Sequence, residues 1–553
     1  MTQKRLFLAL LLGYTTLELL SWIGYNTPIV SSGLFFAVVI ATAVLSWRKP
    51  GYGALIIMAE LFVGSQGGYM LALGPANIDG ALLSLRMGLF LAVFCTWLAR
   101  VVVSWKLGEG SWKLGAGSWK NLRWLVDMKE HGLLLPYLML LLVFAFGAIR
   151  GFLAGNGFGN VFFDANGYAF FALFPAFVEG FRDLKARTLL WPTLAAAVTV
   201  TVVKALAVLY FFSHRIFEVA ANMYVWVRDT RVGEVTIMQA DFHRVFFQSH
   251  LFVLVGLFAV FMFAARGRLF RGREFWLPFA LFAWGIVAML LGLSRSYWFG
   301  GLAGFVTMLG LLIYARALGP LWKKMLVIAP VGLIAAVAIV YVVYAFPYPD
   351  KTGQVSFASL MGGRAFSVAG EAAANSRWNL LAALWPVGFE HPIFGSGLGT
   401  TVTYSTEDAR LLADIPDAQY TTFAFEWGYH DLWIKFGLLG LAIYAWLIAA
   451  ILKPYIFALK IVRMNKNEAI SLTPETGRDD GSERSQLPAT SSQLAPAVTS
   501  PREFETIIIV GITAGTIAML ATNVFSPYLN HPLGIGLLMV VAALGISSSK
   551  QTS

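Results

Sequence analysis

Residues 273–316 read REFWLPFALFAWGIVAMLLGLSRSYWFGGLAGFVTMLGLLIYAR. Two apolar blocks, 275–293 and 297–315, are divided by a short turn holding Arg295 and closed at their far ends by Arg273 and Arg316. Each block has the length a helix needs to cross a hydrocarbon layer about 30 Å thick, roughly 20 residues. Strands of a membrane barrel would alternate in character over about ten positions, and neither block does. The stretch therefore predicts a pair of membrane helices with basic residues at one end and a lone arginine at the other.

Working outward, the same pattern recurs. Apolar blocks fall near 6–25, 28–46, 52–73, 81–104, 132–149, 165–181, 188–212, 246–265, 275–293, 297–315, 325–346, 429–452, 505–525 and 532–547. The prediction is an all-α polytopic membrane protein with about fourteen transmembrane helices. With 58% hydrophobic and only 13% charged residues, the chain lacks the polar surface a soluble protein of this length needs. A net charge of +11 would suggest nucleic acid in a soluble protein. Here the cations flank apolar blocks, where they anchor topology and meet anionic headgroups, so the expected partner is a lipid bilayer and no nucleic acid. The single cysteine, Cys95, excludes an intrachain disulfide and a thiolate metal cluster. The first block follows Lys4 and Arg5 without a convincing small-residue cleavage site, and reads as retained.

Placing the N-terminus in the cytoplasm puts every basic cluster inside: Arg48 and Lys49, Arg100 to Lys129, Arg182 to Arg187, Arg266 to Arg273, Arg316 to Lys324, and Lys453 to Lys466. Both termini are then cytoplasmic. The weakest block is 165–181. The chain divides into N-terminal helices (1–131), a central bundle (132–346), a large outside loop (347–428), the helix after it (429–465), a cytoplasmic loop (466–503) and a C-terminal helix pair (504–553). Within the first division a tandem heptad, SWKLGEG-SWKLGAG-SWKNLRW, repeats Trp105, Trp112 and Trp119. Seven residues are about two helical turns, which suits an interfacial anchor, although its glycines equally suit a weakly ordered linker. The 466–503 loop has almost no large apolar residues and is expected to be disordered. The 347–428 loop mixes aromatics, glycines and charges, as a folded and functional loop would.

Arginines that fall on the outside include Arg150, Arg244, Arg295, Arg364 and Arg377. Insertion disfavours them there. Each is either a snorkelling anchor or the partner of a local acid, with Asp241 available to Arg244 and Glu371 or Glu390 to Arg377. Alternatively, the planar guanidinium grips a phosphate or pyrophosphate. Arg295 has the least room for a local acid. Of seven histidines none pairs at i, i+4 around an acid, which argues against a zinc site. His430 opens a span in FEWGYHDLWIKFGLLGLAIY; it is an interfacial hydrogen-bonding residue or, in a proton-transfer role, an imidazole that titrates near neutrality. Glu18, Glu60, Arg86 and Lys204 lie within spans, where structural pairing is the expectation.

Three stretches in order, LGLSRSYWFGGLAGF (291–305), SRWNLLAALWPVGFEHPIFGSGLGT (376–400) and YHDLWIKFGLLGLAIY (429–444), resemble the O-antigen ligase and O-antigen polymerase superfamily of bacterial envelope glycosyltransferases. In that family a Ser-Arg pair opens a span, and a periplasmic-loop arginine precedes a Pro/Gly-rich run. A histidine then begins the next helix. The likeness covers roughly 240–450; the first two hundred residues match only as a helix pattern. It implies a GT-C-like fold with a large, partly helical periplasmic loop, in the bacterial inner membrane. It also implies an inverting, metal-independent enzyme without cofactor, moving a glycan from an undecaprenyl-pyrophosphate donor to a glycan, lipid or protein acceptor. Arg295 and Arg377 carry over as clamps on the pyrophosphate, Arg244 less firmly, and His430 as base or acceptor-positioning residue. Asp431 stands where many members have Asn, which makes it a candidate for positioning the acceptor and leaves the proton path open. The long insertion before the last two helices is a second departure. Polymerisation of lipid-linked repeats and ligation to another carrier share this site. A transporter of lipid-linked glycan or solute is the competing class; it would show inverted repeats and broken helices, neither visible in the sequence.

Overall fold

An amide buried in hydrocarbon must find its partner within the chain, so apolar blocks of this length fold as helices. The computed structural model describes residues 3–552 except 66, 108–122, 239–241, 320, 350–371, 408–411, 413–414, 416 and 472–500. The helices are α1 (Gln3–Asn26), α2 (Pro28–Arg48), α3 (Pro50–Val63), α4 (Leu85–Leu107), α5 (Arg123–Glu130), α6 (Leu134–Leu153), α7 (Phe158–Ala169), α8 (Phe174–Gly180), α9 (Leu184–Ser213), α10 (Phe217–Asp229), α11 (His250–Arg266), α12 (Arg273–Gly292), α13 (Arg295–Tyr314), α14 (Trp322–Tyr344), α15 (Ala372–Glu390), α16 (Gly428–Ser471), α17 (Pro501–Thr522) and α18 (Pro532–Thr552). Among the described residues the only sheets are three antiparallel hairpins: β1 (Ala72–Leu73) with β2 (Leu83–Ser84), β3 (Gly233–Ile237) with β4 (His243–Phe247), and β5 (Val402–Ser405) with β6 (Gln419–Thr422).

All fourteen apolar blocks coincide with helical structure, and ten described helical segments are long and apolar enough to cross a membrane. Four further apolar helices are shorter: Pro50–Val63, His250–Arg266, Thr506–Thr522 and Pro532–Ser547. The chain is thus a predominantly helical, multi-pass membrane protein. Besides the 429–452 block, which is broken at Gly437, two blocks differ from their expected form. The 52–73 block stays helical only to Val63, and its tail turns back to pair Ala72 with Ser84. The 165–181 block is interrupted, with a 3-10 turn (Phe170–Leu173) between α7 and α8. The large loop is partly helical, since it contains α15. Most of the heptad repeat and most of the 466–503 loop lie outside the described residues.

Small residues let the helices close up, as they must where lipid removes the hydrophobic drive between them. Helix α17 runs along α11 and α13; a Cβ on Gly300 would stand 2.6 Å from the Ala518 carbonyl oxygen. The intramembrane charges are paired with one another. Arg86 grips Glu60 through two bonds of 2.9 Å and donates to the Ser65 carbonyl at 2.6 Å, and Lys204 donates to Glu18 at 2.6 Å.

Neighbouring basic loops touch. Arg100 donates to the Trp47 carbonyl at 3.0 Å and lies 3.5 Å from Glu179, while Arg182 pairs with Asp127. Lys324 donates to the Gly267 carbonyl at 2.9 Å, and Arg463 lies over the Tyr314 ring.

Candidate functional site

Helix α16 does not run straight. At Gly437 the backbone has φ 69° and ψ −175°, a region open essentially to glycine alone. A break in a membrane helix frees carbonyls and amides that something must satisfy. Here it is the glycine-rich run that precedes α16 in sequence. Ser396 N donates to the Ile434 carbonyl at 2.6 Å and Gly397 N to that of Lys435 at 3.1 Å. On the other side of the break, Leu438 N donates to the Pro392 carbonyl at 2.8 Å and Leu439 N to that of Ile393 at 3.1 Å. The run is anchored in turn on α6, where Leu398 N donates to the Gly147 carbonyl at 2.9 Å. The HPIFGSGLGT stretch is therefore a plug in a broken helix.

His430 stands on the first turn of α16, half-buried. Its ring meets those of Trp385, Trp427 and Trp433 at 5.2, 6.1 and 6.2 Å between centroids. Arg377, on α15, is half-exposed and ion-paired with Glu426. Its backbone carbonyl accepts the Trp427 indole N–H at 2.9 Å. Arg377 and His430 thus flank the same tryptophan. Among the described residues the partner of Arg377 is Glu426 rather than Glu390, and Glu371 lies outside them.

Arg295 is the first residue of α13 and is half-buried. A helix N-terminus carries partial positive charge, so a cation placed there adds to it and makes the spot attractive to an anion. Next to it, the Ser294 and Ser296 hydroxyls lie 2.9 Å apart, and Ser526 donates to Ser296 at 3.0 Å. The hydroxyls of Tyr297 and Tyr528 are hydrogen-bonded, and burial pushes the Tyr528 phenol above its usual value. The turn between α17 and α18 therefore docks on the N-terminus of α13. Within that turn the Phe525 ring packs on both Phe299 and Trp427, at 5.5 and 5.4 Å. A continuous series of contacts links the Arg295 turn to the tryptophan beside His430 and Arg377.

Arg244, on β4, donates to the Gly292 carbonyl at 2.7 Å, three residues before Arg295, and lies over the Phe246 ring. Among the described residues its acid is Glu234, across the hairpin at 3.6 Å; the expected partner, Asp241, lies outside them. Phe246 stacks on Tyr297 at 5.4 Å. Arg150 is half-buried at the end of α6, and Arg364 lies outside the described residues.

Asp431 departs from its expected role. Its side chain is fully buried, with Lys435 Nζ 2.6 Å from Oδ1 and Asn530 donating to Oδ2 at 2.9 Å. The carboxylate faces Lys435 and Asn530 rather than open space. Sequence reasoning passed over its partners Lys435 and Asn530, the second partner of Lys435, Asp164, as well as Glu426, Glu234 and the Ser296–Ser526 contact. Only the charge of Lys435 inside an apolar block marked any of them out. Among the described residues no group of three or more His, Cys, Asp or Glu side chains is placed to hold a metal ion.

No family model matches the chain. No curated protein matches it either.

Proposed function

We propose that the protein is a glycosyltransferase of the O-antigen ligase/polymerase type. In this reading it is a GT-C-like protein of fourteen transmembrane helices in the bacterial inner membrane, with both termini cytoplasmic and the site periplasmic. It transfers a glycan from an undecaprenyl-pyrophosphate donor to a sugar hydroxyl on a glycan, lipid or protein acceptor. The observation that carries the reading is the linkage of the Arg295 helix end, through the α17–α18 turn, to the tryptophan shared by His430 and Arg377.

The chemistry follows from those groups. As the bond from the anomeric carbon to the pyrophosphate oxygen breaks, its electron pair leaves with the diphosphate, whose negative charge grows. Arg295 at a helix N-terminus, with Arg377 and Arg244, meets that charge at the membrane boundary, where water screens it less. His430 takes the acceptor hydroxyl proton as the oxygen attacks the anomeric carbon from the opposite face. Inversion results from the single displacement. The donor is already activated, so the reaction calls for no cofactor, and the arginines do the work a divalent ion does elsewhere. Trp378 and Trp385, both exposed, offer aromatic faces for sugar rings.

The test is transfer by the purified protein in proteoliposomes given an undecaprenyl-pyrophosphate oligosaccharide. New glycosidic bonds and released undecaprenyl pyrophosphate are expected, with activity retained in EDTA. A ladder of lengths on the lipid carrier identifies a polymerase, and transfer to a different carrier identifies a ligase. A second reading, transport, is favoured by one observation: α16 is broken and the α7–α8 segment interrupted, as in transporters. Vesicles that move substrate without forming glycosidic bonds would establish transport and overturn the transferase.

A further inference from the structure

The break at Gly437 leaves the segment from Gly428 to Phe436 as a helix of about two and a half turns. A helix so short has little stability of its own, so its position must come from side-chain ties. Its outer face, with His430 and Trp433, rests on Trp385 and Phe389 of α15. Its inner face carries Asp431 and Lys435, one turn apart.

Lys435 is fully buried and donates to Asp164 of α7 at 2.7 Å, with Asp431 2.6 Å away. Asp164 also accepts the Gly399 backbone N–H at 2.7 Å, and Asp431 accepts the Asn530 side chain at 2.9 Å. Lys435 lies 5.3 Å over the Phe425 ring as well. One ammonium thus joins α7, the glycine-rich plug, the His430 helix and the α17–α18 turn, the turn whose Ser526 and Phe525 reach the Arg295 helix. Buried ions of this kind seldom add stability beyond what packed apolar residues would give, and their best-attested use is to fix one arrangement.

We infer that Asp164, Lys435, Asp431 and Asn530 are positioning residues that hold the His430 turn in register with the arginine-bearing helix ends. What His430 then does rests on the transferase reading; that the cluster fixes its place does not. The experiment therefore has two arms, both on the full chain in proteoliposomes.

The first arm ignores activity. With Cys95→Ser removing the native thiol, His430→Cys reports through its rate of labelling by a small uncharged maleimide. Adding Lys435→Met is expected to change that rate at least tenfold. Lys204→Met, which breaks the buried pair with Glu18 on α1 and α9, is expected to leave it within threefold. Should Lys435→Met fail to insert, the isosteric Asp164→Asn replaces it, with a change of threefold or more expected. Equal effects from the cluster and Lys204 variants, or no effect from the cluster, would overturn the inference.

The second arm keeps His430 and the native cysteine. Asp164→Asn is expected to lower kcat about tenfold while KM for the lipid-linked donor stays within twofold, because the arginines are untouched. A proportionate loss in both parameters would mark a general structural role and overturn the inference. Absence of transfer by the wild-type protein would defeat the transferase reading alone, with the labelling arm still decisive for the cluster.

Discussion

In the proposed transferase Arg295 is the residue on which the chemistry turns, because two positive features coincide there, a guanidinium and a helix N-terminus. A lysine keeps the charge but loses the planar fork that holds two phosphate oxygens. Arg295→Lys is expected to lower turnover by tenfold or more with an unchanged melting temperature in detergent; full activity would remove the bidentate role. His430→Ala is expected to lower kcat about 100-fold, the scale of a lost general base, and a loss of only a few-fold would remove that assignment. Arg295 could be singled out in the sequence because sidedness makes an outside arginine conspicuous, and His430 because it opens an apolar block. The ion-pair partners could not. Glu426 meets Arg377 from 49 residues away, and Lys435 meets Asp164 across 271; periodicity carries no information about pairs brought together only by the fold.

At the scale of elements, the decisive feature is the plugged break in α16. A Cβ on Gly437 would lie 2.1 Å from the Ile393 carbonyl oxygen and would force a side chain into a glycine-only conformation. Gly437→Ala is expected to destabilise the protein by about 2 kcal/mol or more, seen as a lower melting temperature, and to loosen the 392–399 run to hydrogen exchange. Unaltered melting would mean that the helix tolerates straightening. Hydrophobicity could not reveal this break, because 429–452 is one continuous apolar block and Gly437 is one of two glycines in FGLLGL. The same blindness extended the 52–73 block past Val63. Apolar residues in a buried re-entrant turn look, by composition, like the helix they follow.

For the whole molecule, the pattern of basic loops sets the expected orientation, since Lys and Arg clusters stay in the cytoplasm. In a Cys95→Ser background, Lys323→Cys in intact cells is expected to resist an impermeant maleimide, whereas Glu218→Cys, on the first turn of α10, is expected to react. Reaction at Lys323→Cys would invert the arrangement and place the arginines on the cytoplasmic side. The helical, multi-pass architecture was legible because the length of an apolar block is a direct physical requirement of the bilayer. In the proposed transferase the arginine end grips a diphosphate. The most direct measurement of that grip is equilibrium binding of undecaprenyl pyrophosphate and undecaprenyl monophosphate to the purified wild type and to Arg295→Lys. A preference for the diphosphate of at least tenfold, about 1.4 kcal/mol, that largely vanishes in the variant is the predicted result. Equal affinity for the two lipids, or a preference unchanged by Arg295→Lys, would contradict it.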